Sequence, residues 1–227
     1  MKKLIVVDGV DASGKETHTN FIFKLLKNNE KNVEKISFPD YESDSSALVK
    51  MYLAGYLGES ASDVNAYAAS SFYAVDRFVS FKKINWGKDF YSNPDETSYV
   101  VADRYVTSNM IHQASKIENQ EEKDAFLEWL NDYEYNKLGL PTPDIVIFLN
   151  MPIWAAKTLM KNRANKITGT SAKDIHERDT DYLDKSYNNA MYVAKKFGWT
   201  IVNCTDGERI KSLEEIQEEI QKIVEKI

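Results

Sequence analysis

The sequence predicts an α/β fold, a five-stranded parallel sheet flanked by helices on both faces. Three observations predict it. The run Leu4 to Val7 is short, unbroken and rich in β-branched residues, as a strand buried on both faces of a parallel sheet reads. Four similar runs follow, at Val33 to Phe38, Tyr99 to Ala102, Ile145 to Leu149 and Thr200 to Val202. Helical periodicity separates each run from the next, an alternation that implies right-handed crossovers between parallel strands.

The helical segments are expected at Thr17 to Leu26, Ser46 to Leu57, Val64 to Ile84, Lys123 to Leu138, Ile153 to Lys161, Asp179 to Phe197 and Leu213 to Val224. A length of 227 residues fits one domain, 1–227. The polar stretch at about 163–175 contains Lys, Arg, Thr, Ser and Gly but little apolar anchoring, and is expected to be a lid. The net charge of −6 argues against a broad surface for nucleic acid. Cys204 is the sole cysteine, which excludes an internal disulfide and suits a reducing compartment, so a cytoplasmic location is expected. The opening apolar run is too short for a signal peptide or membrane span, and no membrane partner is expected.

Ligands of parallel sheets bind beyond the carboxyl ends of the strands. After the first run stands Gly9-Val10-Asp11-Ala12-Ser13-Gly14-Lys15-Glu16-Thr17, with the spacing Gly-x4-Gly-Lys between a strand and a helix. Backbone N–H groups there can converge on phosphate oxygens, glycines admit the anion, and Lys15 adds a point charge. The residue after the lysine is usually Ser or Thr, whose hydroxyl binds Mg²⁺; here it is Glu16. Thr17 lies ~100° further round the helix and cannot simply replace it. Either Glu16 faces solvent while water completes the metal shell, or its carboxylate joins that shell.

A second constellation, Asp103-Arg104-Tyr105, follows the third run. Its carboxylate can hold Mg²⁺ through water and its guanidinium can grip a phosphate; an ion pair in a turn is the plainer reading. Tyr73 and Arg77, four apart on one helix, share a face. The ring can stack on a base and Arg77 can reach a base edge or a phosphate, although aromatics at this spacing more often pack a core.

In order along the chain, Gly9 to Thr17, Phe38-Pro39, Tyr73-Ala-Val-Asp76-Arg77, Asp103-Arg-Tyr-Val-Thr-Ser108-Asn109 and Pro143-Asp144 resemble the motifs of the thymidylate kinase family. The resemblance implies a fold of the phosphate-loop nucleotide kinase type, phosphoryl transfer from ATP to dTMP with Mg²⁺, and a homodimer. It implies catalytic roles for Lys15, Asp103, Arg104 and a lid cation, with Asp103 at the metal. For dTMP it implies Asp11 near the sugar 3′-hydroxyl, Tyr73 stacked on thymine where phenylalanine is usual, and Arg77 and Arg104 on the acceptor. Asn109 and Gln113 would lie near the base, with Phe38, Ser108 and His112 completing the dTMP set.

Three positions depart from the family pattern. Tyr41 stands where many members have a phosphate-binding arginine. His112 replaces a tyrosine that, in some relatives, favours deoxyribose. Ala12 carries no charge, which leaves the transition-state cation to the lid, where Arg163 leads over Lys166 and Lys173. His18 and His176 are expected at the surface, since this acceptor needs no general base. A deoxynucleoside kinase, with Asp40 as base, and a regulator weak in transfer, suggested by Glu16 and Tyr41, remain the competing readings.

Overall fold

The computed structural model describes residues 1–58, 60–93, 98–164 and 180–227. Five parallel strands, β1 (Lys3–Gly9), β2 (Asn32–Ser37), β3 (Ser98–Asp103), β4 (Ile145–Asn150) and β5 (Thr200–Asn203), form one sheet in the order β2-β3-β1-β4-β5. The helices are α1 (Lys15–Asn28), α2 (Ala47–Leu53), α3 (Ala66–Lys83), α4 (Val106–His112), α5 (Gln120–Asn131), α6 (Ile153–Ala164), α7 (Thr180–Lys196) and α8 (Leu213–Val224). A two-stranded ribbon, β6 (Thr205–Asp206) with β7 (Arg209–Ile210), precedes α8.

Strand periodicity divides the core in two. On one face Ile5 and Val7 of β1 and Val101 of β3 pack with Ile22 and Leu26 of α1 and Ile216, Ile220 and Val224 of α8. On the other, Leu4 and Val6 pack with Val100 and Ala102, with Phe81 of α3 and with Phe126, Leu127 and Leu130 of α5. Burying both faces is what lets β1 consist of consecutive apolar residues, each contributing ~1.5–3 kcal/mol of transfer free energy. Asp144 explains its place before β4: its Oδ2 accepts the Leu4 N–H at 2.7 Å and sets β4 beside β1.

The five strand expectations correspond to these strands, and the boundaries of several helices move. Asn65 caps α3, its side-chain oxygen accepting the Ala68 N–H at 2.9 Å. The helix expected at Ser46 to Leu57 stops at Leu53, where Gly55 takes a φ of 82°. The segment expected as one helix from Lys123 to Leu138 changes pitch: after α5, residues Asp132–Lys137 form a π-helical turn, and the Leu138 N–H reaches Tyr133 O, five residues back, at 2.9 Å. The helix α4 forms where the sequence pattern predicts none.

β1 lies between the strands reached first (β2, β3) and those reached later (β4, β5), so the chain reverses direction across the sheet there. The crevice beyond the carboxyl ends of β1, β3 and β4 is the switch point at which such sheets bind ligands.

Candidate active site

The phosphate loop leaves β1 at Gly9, where a Cβ would come 2.9 Å from Leu149 O and 2.7 Å from Ser13 Oγ. Only glycine lets the backbone pass that close to β4. Ala12 (φ 61°) and Gly14 (φ 83°) both take left-handed conformations, folding the loop back over the start of α1. A strained non-glycine residue at such a place fits a functional turn. Val10 and Ser13 are buried, and the Ser13 hydroxyl has no hydrogen-bond partner among the described residues.

Lys15 is buried, with Nζ donating to Val10 O at 2.8 Å and lying 3.8 Å from Asp11 Oδ1. Burial, then the nearby Arg104 guanidinium, pulls its ammonium down to about 8, against the attraction of Asp11, Asp8 and Asp103. Asp11 accepts from Arg104 Nη2 at 2.6 Å. Burial alone would raise its carboxyl, but Arg104, Lys15 and His112 together hold it well below the ordinary carboxylate range. Arg104 itself has a φ of 63°, and its backbone N–H donates to Val7 O at 3.1 Å, so the turn after β3 is tied to β1. Its Nη1 faces His112 Nε2 at 3.1 Å; a guanidinium only donates, so that ring nitrogen accepts.

Asp8 carries no motif signal of its own in the sequence. It is wholly buried and accepts from the Gly9 N–H (2.8 Å), Thr107 Oγ1 (2.6 Å) and Ser108 Oγ (2.8 Å to Oδ2), joining the phosphate loop to the first turn of α4. Asp103, in register with Val7, has its carboxyl raised by burial and by the charges of Asp8 and Glu16, against Arg104 and Lys15. An all-oxygen donor set crowded with negative charge fits a hard cation that shares its coordination with phosphate and water. Glu16 and Thr17 are both exposed. Among the described residues no group of three or more His, Cys, Asp or Glu side chains forms a metal cage by itself.

Beside the loop lies a cleft enclosing about 590 Å³, open solvent included. The predicted residues Asp11, Phe38, Tyr73, Arg77, Arg104, Ser108, Asn109, His112 and Gln113 all line it, as do Tyr41, Leu53 and Tyr182. Phe38 follows β2, tilted against Tyr105 at 6.1 Å, and the peptide to Pro39 is cis. Tyr73 meets Tyr52 edge-on at 6.4 Å. Asp76, the unexplained acid of the helix motif, accepts from the Asp40 N–H (2.9 Å) and Ser45 Oγ (2.6 Å), so it anchors the loop that carries Tyr41. Gln113 is buried, and its Oε1 has no partner among the described residues.

One placement differs from expectation, and another residue has partners that the sequence does not show. His18 is 1% exposed, packed behind the phosphate loop rather than at the surface, and burial lowers its imidazole. Arg77 does not stand free: Nε and Nη2 each donate to Glu134 at 2.6 Å and Nη1 to Tyr105 O at 3.3 Å. Neither Glu134 nor Tyr182, which stacks on His112 at 6.2 Å, carried any signal in the sequence. Arg163 falls on the last turn of α6. Its side chain, with Lys166, Lys173, His176 and most of the expected lid, lies outside the described residues.

A phosphate loop that shares its aspartate with a second, aromatic-walled cleft has the makings of a phosphate-loop phosphotransferase. A family model described as thymidylate kinase matches residues 7–220, and the chain belongs to the thymidylate kinase family. It is 31% identical to a thymidylate kinase of Mycobacterium tuberculosis over 185 residues, 81% of each chain. A probable thymidylate kinase of Methanococcus maripaludis is 26% identical over 228 residues, covering 100% of this chain and 98% of its own. The solved thymidylate kinase of Candida albicans superposes with a TM-score of 0.67 over 99% of this chain and 92% of its own; at 18% identity that likeness speaks for the fold. No described helix is long and apolar enough to cross a membrane.

Proposed function

We propose that this chain transfers the γ-phosphoryl group of ATP to the 5′-phosphate of dTMP, giving ADP and dTDP. The observation that carries the reading is Asp11: it belongs to the phosphate loop, lines the cleft and is ion-paired to Arg104 at 2.6 Å, so donor and acceptor phosphates would meet at one point. The bond from the γ-phosphorus to the β,γ-bridging oxygen breaks as one forms to an oxygen of the acceptor phosphate. That oxygen is already anionic, so no general base is required and the protein's work is alignment and charge compensation.

In this reading Lys15 and the loop N–H groups hold the ATP phosphates, and Arg104 turns from Asp11 to the dTMP phosphate. Asp11 is left for the sugar hydroxyl, and Phe38 and Tyr73 cover the base. Mg²⁺, near Asp103, would neutralise phosphate charge when bound. Ser108, held by Asp8, acts as a strut between loop and cleft. Arg163 supplies the lid cation that Ala12 cannot. We take the whole chain as one domain, acting in the cytoplasm. The exposed apolar residues Leu48 and Met51 of α2 and Val75 of α3 suit a homodimer, checked by sedimentation.

The test is ADP release from ATP and Mg²⁺ with dTMP, dUMP, dCMP and the purine monophosphates, and with thymidine as a nucleoside acceptor. Turnover should be highest with dTMP. Phosphorylation of thymidine but not of dTMP would replace this reading with a nucleoside kinase, and no ADP with any acceptor would leave a regulator.

A further inference from the structure

We propose that Glu134 is the positioning residue of the base end of this cleft: it orients Arg77 and Asn109 as a donor beside an acceptor and so sets which nucleobase edge is read. The inference rests on the acceptor reading above. Glu134 does not line the cleft and is wholly buried behind it. Its Oε2 accepts from Arg77 Nε at 2.6 Å; its Oε1 accepts from Arg77 Nη2 at 2.6 Å and Asn109 Nδ2 at 3.1 Å.

Part of this donor set remains for a ligand. A guanidinium has five N–H groups, of which Glu134 takes two and Tyr105 O a third. Among the described residues, one N–H on each terminal nitrogen of Arg77 is left. The Asn109 amide has two, and both are spent, on Glu134 and on Ser70 O at 3.1 Å. Since both partners are acceptors, the amide cannot be flipped, and the group Asn109 has to offer is its carbonyl oxygen. The cleft therefore presents donors from Arg77 and an acceptor from Asn109. A base edge with a carbonyl next to a ring N–H, as in thymine or uracil, complements that pair; cytosine, with an amino group next to an unprotonated nitrogen, opposes it.

Charge points the same way. The Arg77–Glu134 pair is buried at both ends, with side chains 2% and 0% exposed, and the carboxylate raises the arginine's pKa against the effect of burial. A paired, dehydrated guanidinium offers little net charge to a phosphate. Arg104 and Asp11 are 24% and 23% exposed, close enough to water for Arg104 to change partners. The π-helical turn Asp132–Lys137 supplies the aim. One residue of helical offset swings a side chain by ~100°, so in an unbroken α-helix the same carboxylate would point away from α3 and Arg77.

The experiment replaces Glu134 with Gln, which keeps the shape but sets an N–H₂ group against donors. KM for dTMP should rise ~10-fold or more, with kcat changed less than ~3-fold and KM for ATP unmoved. The preference for dTMP over dCMP should shrink, and the inhibition constant of thymidine, which lacks a phosphate, should rise by the same factor as KM for dTMP. In an Arg77→Met background Glu134→Gln should cost at least ~3-fold less than in the wild type. Should Glu134→Gln not accumulate, Arg77→Met/Glu134→Met, an apolar pair of similar size, replaces it, with the same loss of preference expected. An unchanged dTMP to dCMP ratio, a rise for dTMP without one for thymidine, or equal losses for ATP and dTMP would each overturn the proposal. A wild-type chain inactive on dTMP would instead overturn the acceptor reading beneath it.

Discussion

Lys15 is the residue through which pH should control ATP binding. Its ammonium is depressed from 10.5 to about 8 because it is buried and faces Arg104. Restoring the ordinary value is worth about 3 kcal/mol, and the phosphates of bound ATP are the charges that would do so. Above pH 8 the free protein loses the Lys15 proton and must regain it on binding. At pH 9 only about one molecule in ten carries it, so ATP should bind ~10-fold more weakly than at pH 7, with most of a proton taken up per ATP. Calorimetric titration at fixed Mg²⁺, in two buffers of different ionisation enthalpy, measures both affinity and proton uptake. Lys15→Arg is the control, since arginine keeps its charge throughout and should remove the slope. A flat affinity between pH 7.5 and 9.5, or the same slope in Lys15→Arg, would refute the argument.

Three further outcomes are expected. Asp11 has a depressed carboxyl pKa, so it contributes stability above its unfolded value of about 3.9 and loses it as pH falls toward the folded value. Between pH 5 and 2, wild-type urea stability should therefore fall more than that of Asp11→Asn, by ~1–2 kcal/mol; parallel curves would contradict the pairing. Glu16 is exposed, and Glu16→Ser should change the Mg²⁺ concentration for half-maximal rate by less than ~3-fold; a larger loss would make the carboxylate a metal ligand. Asp76→Ala removes the acceptor for the Asp40 N–H and Ser45 hydroxyl, so amide exchange should quicken across Asp40 to Ser46 and KM for dTMP should rise. Unchanged exchange in that loop would show that Asp76 does not hold it.

The parts of this site that could be read from sequence are those built by neighbours in the chain. Strand β1 declares itself because both its faces are buried, and the loop after it because a close turn around an anion needs glycines at set spacings. The cleft residues were reachable only through an ordered resemblance, since Tyr73 alone reads as core. What escaped is made by distant partners. Val106-Thr-Ser-Asn-Met-Ile-His112 has little helix propensity, with β-branched residues and Asn among seven. It is helical because Asp8, nearly 100 positions earlier, accepts the Thr107 and Ser108 hydroxyls. Asn189 of α7 then donates to Met110 O (2.9 Å) and Ile111 O (2.6 Å), satisfying carbonyls that a short helix leaves open. Glu134 is the sharper case. In Asp132-Tyr-Glu-Tyr-Asn-Lys137 an acidic residue reads as a solvated helix face, and periodicity assigns that face on the assumption of 3.6 residues per turn. The π-helical turn breaks the assumption, and the buried partner that makes the carboxylate tolerable, Arg77, lies 57 positions away. Arg77 could be recognised from its spacing to Tyr73, but what it can bind depends on which of its donors are already spent, and that is set by residues whose own pattern points to solvent.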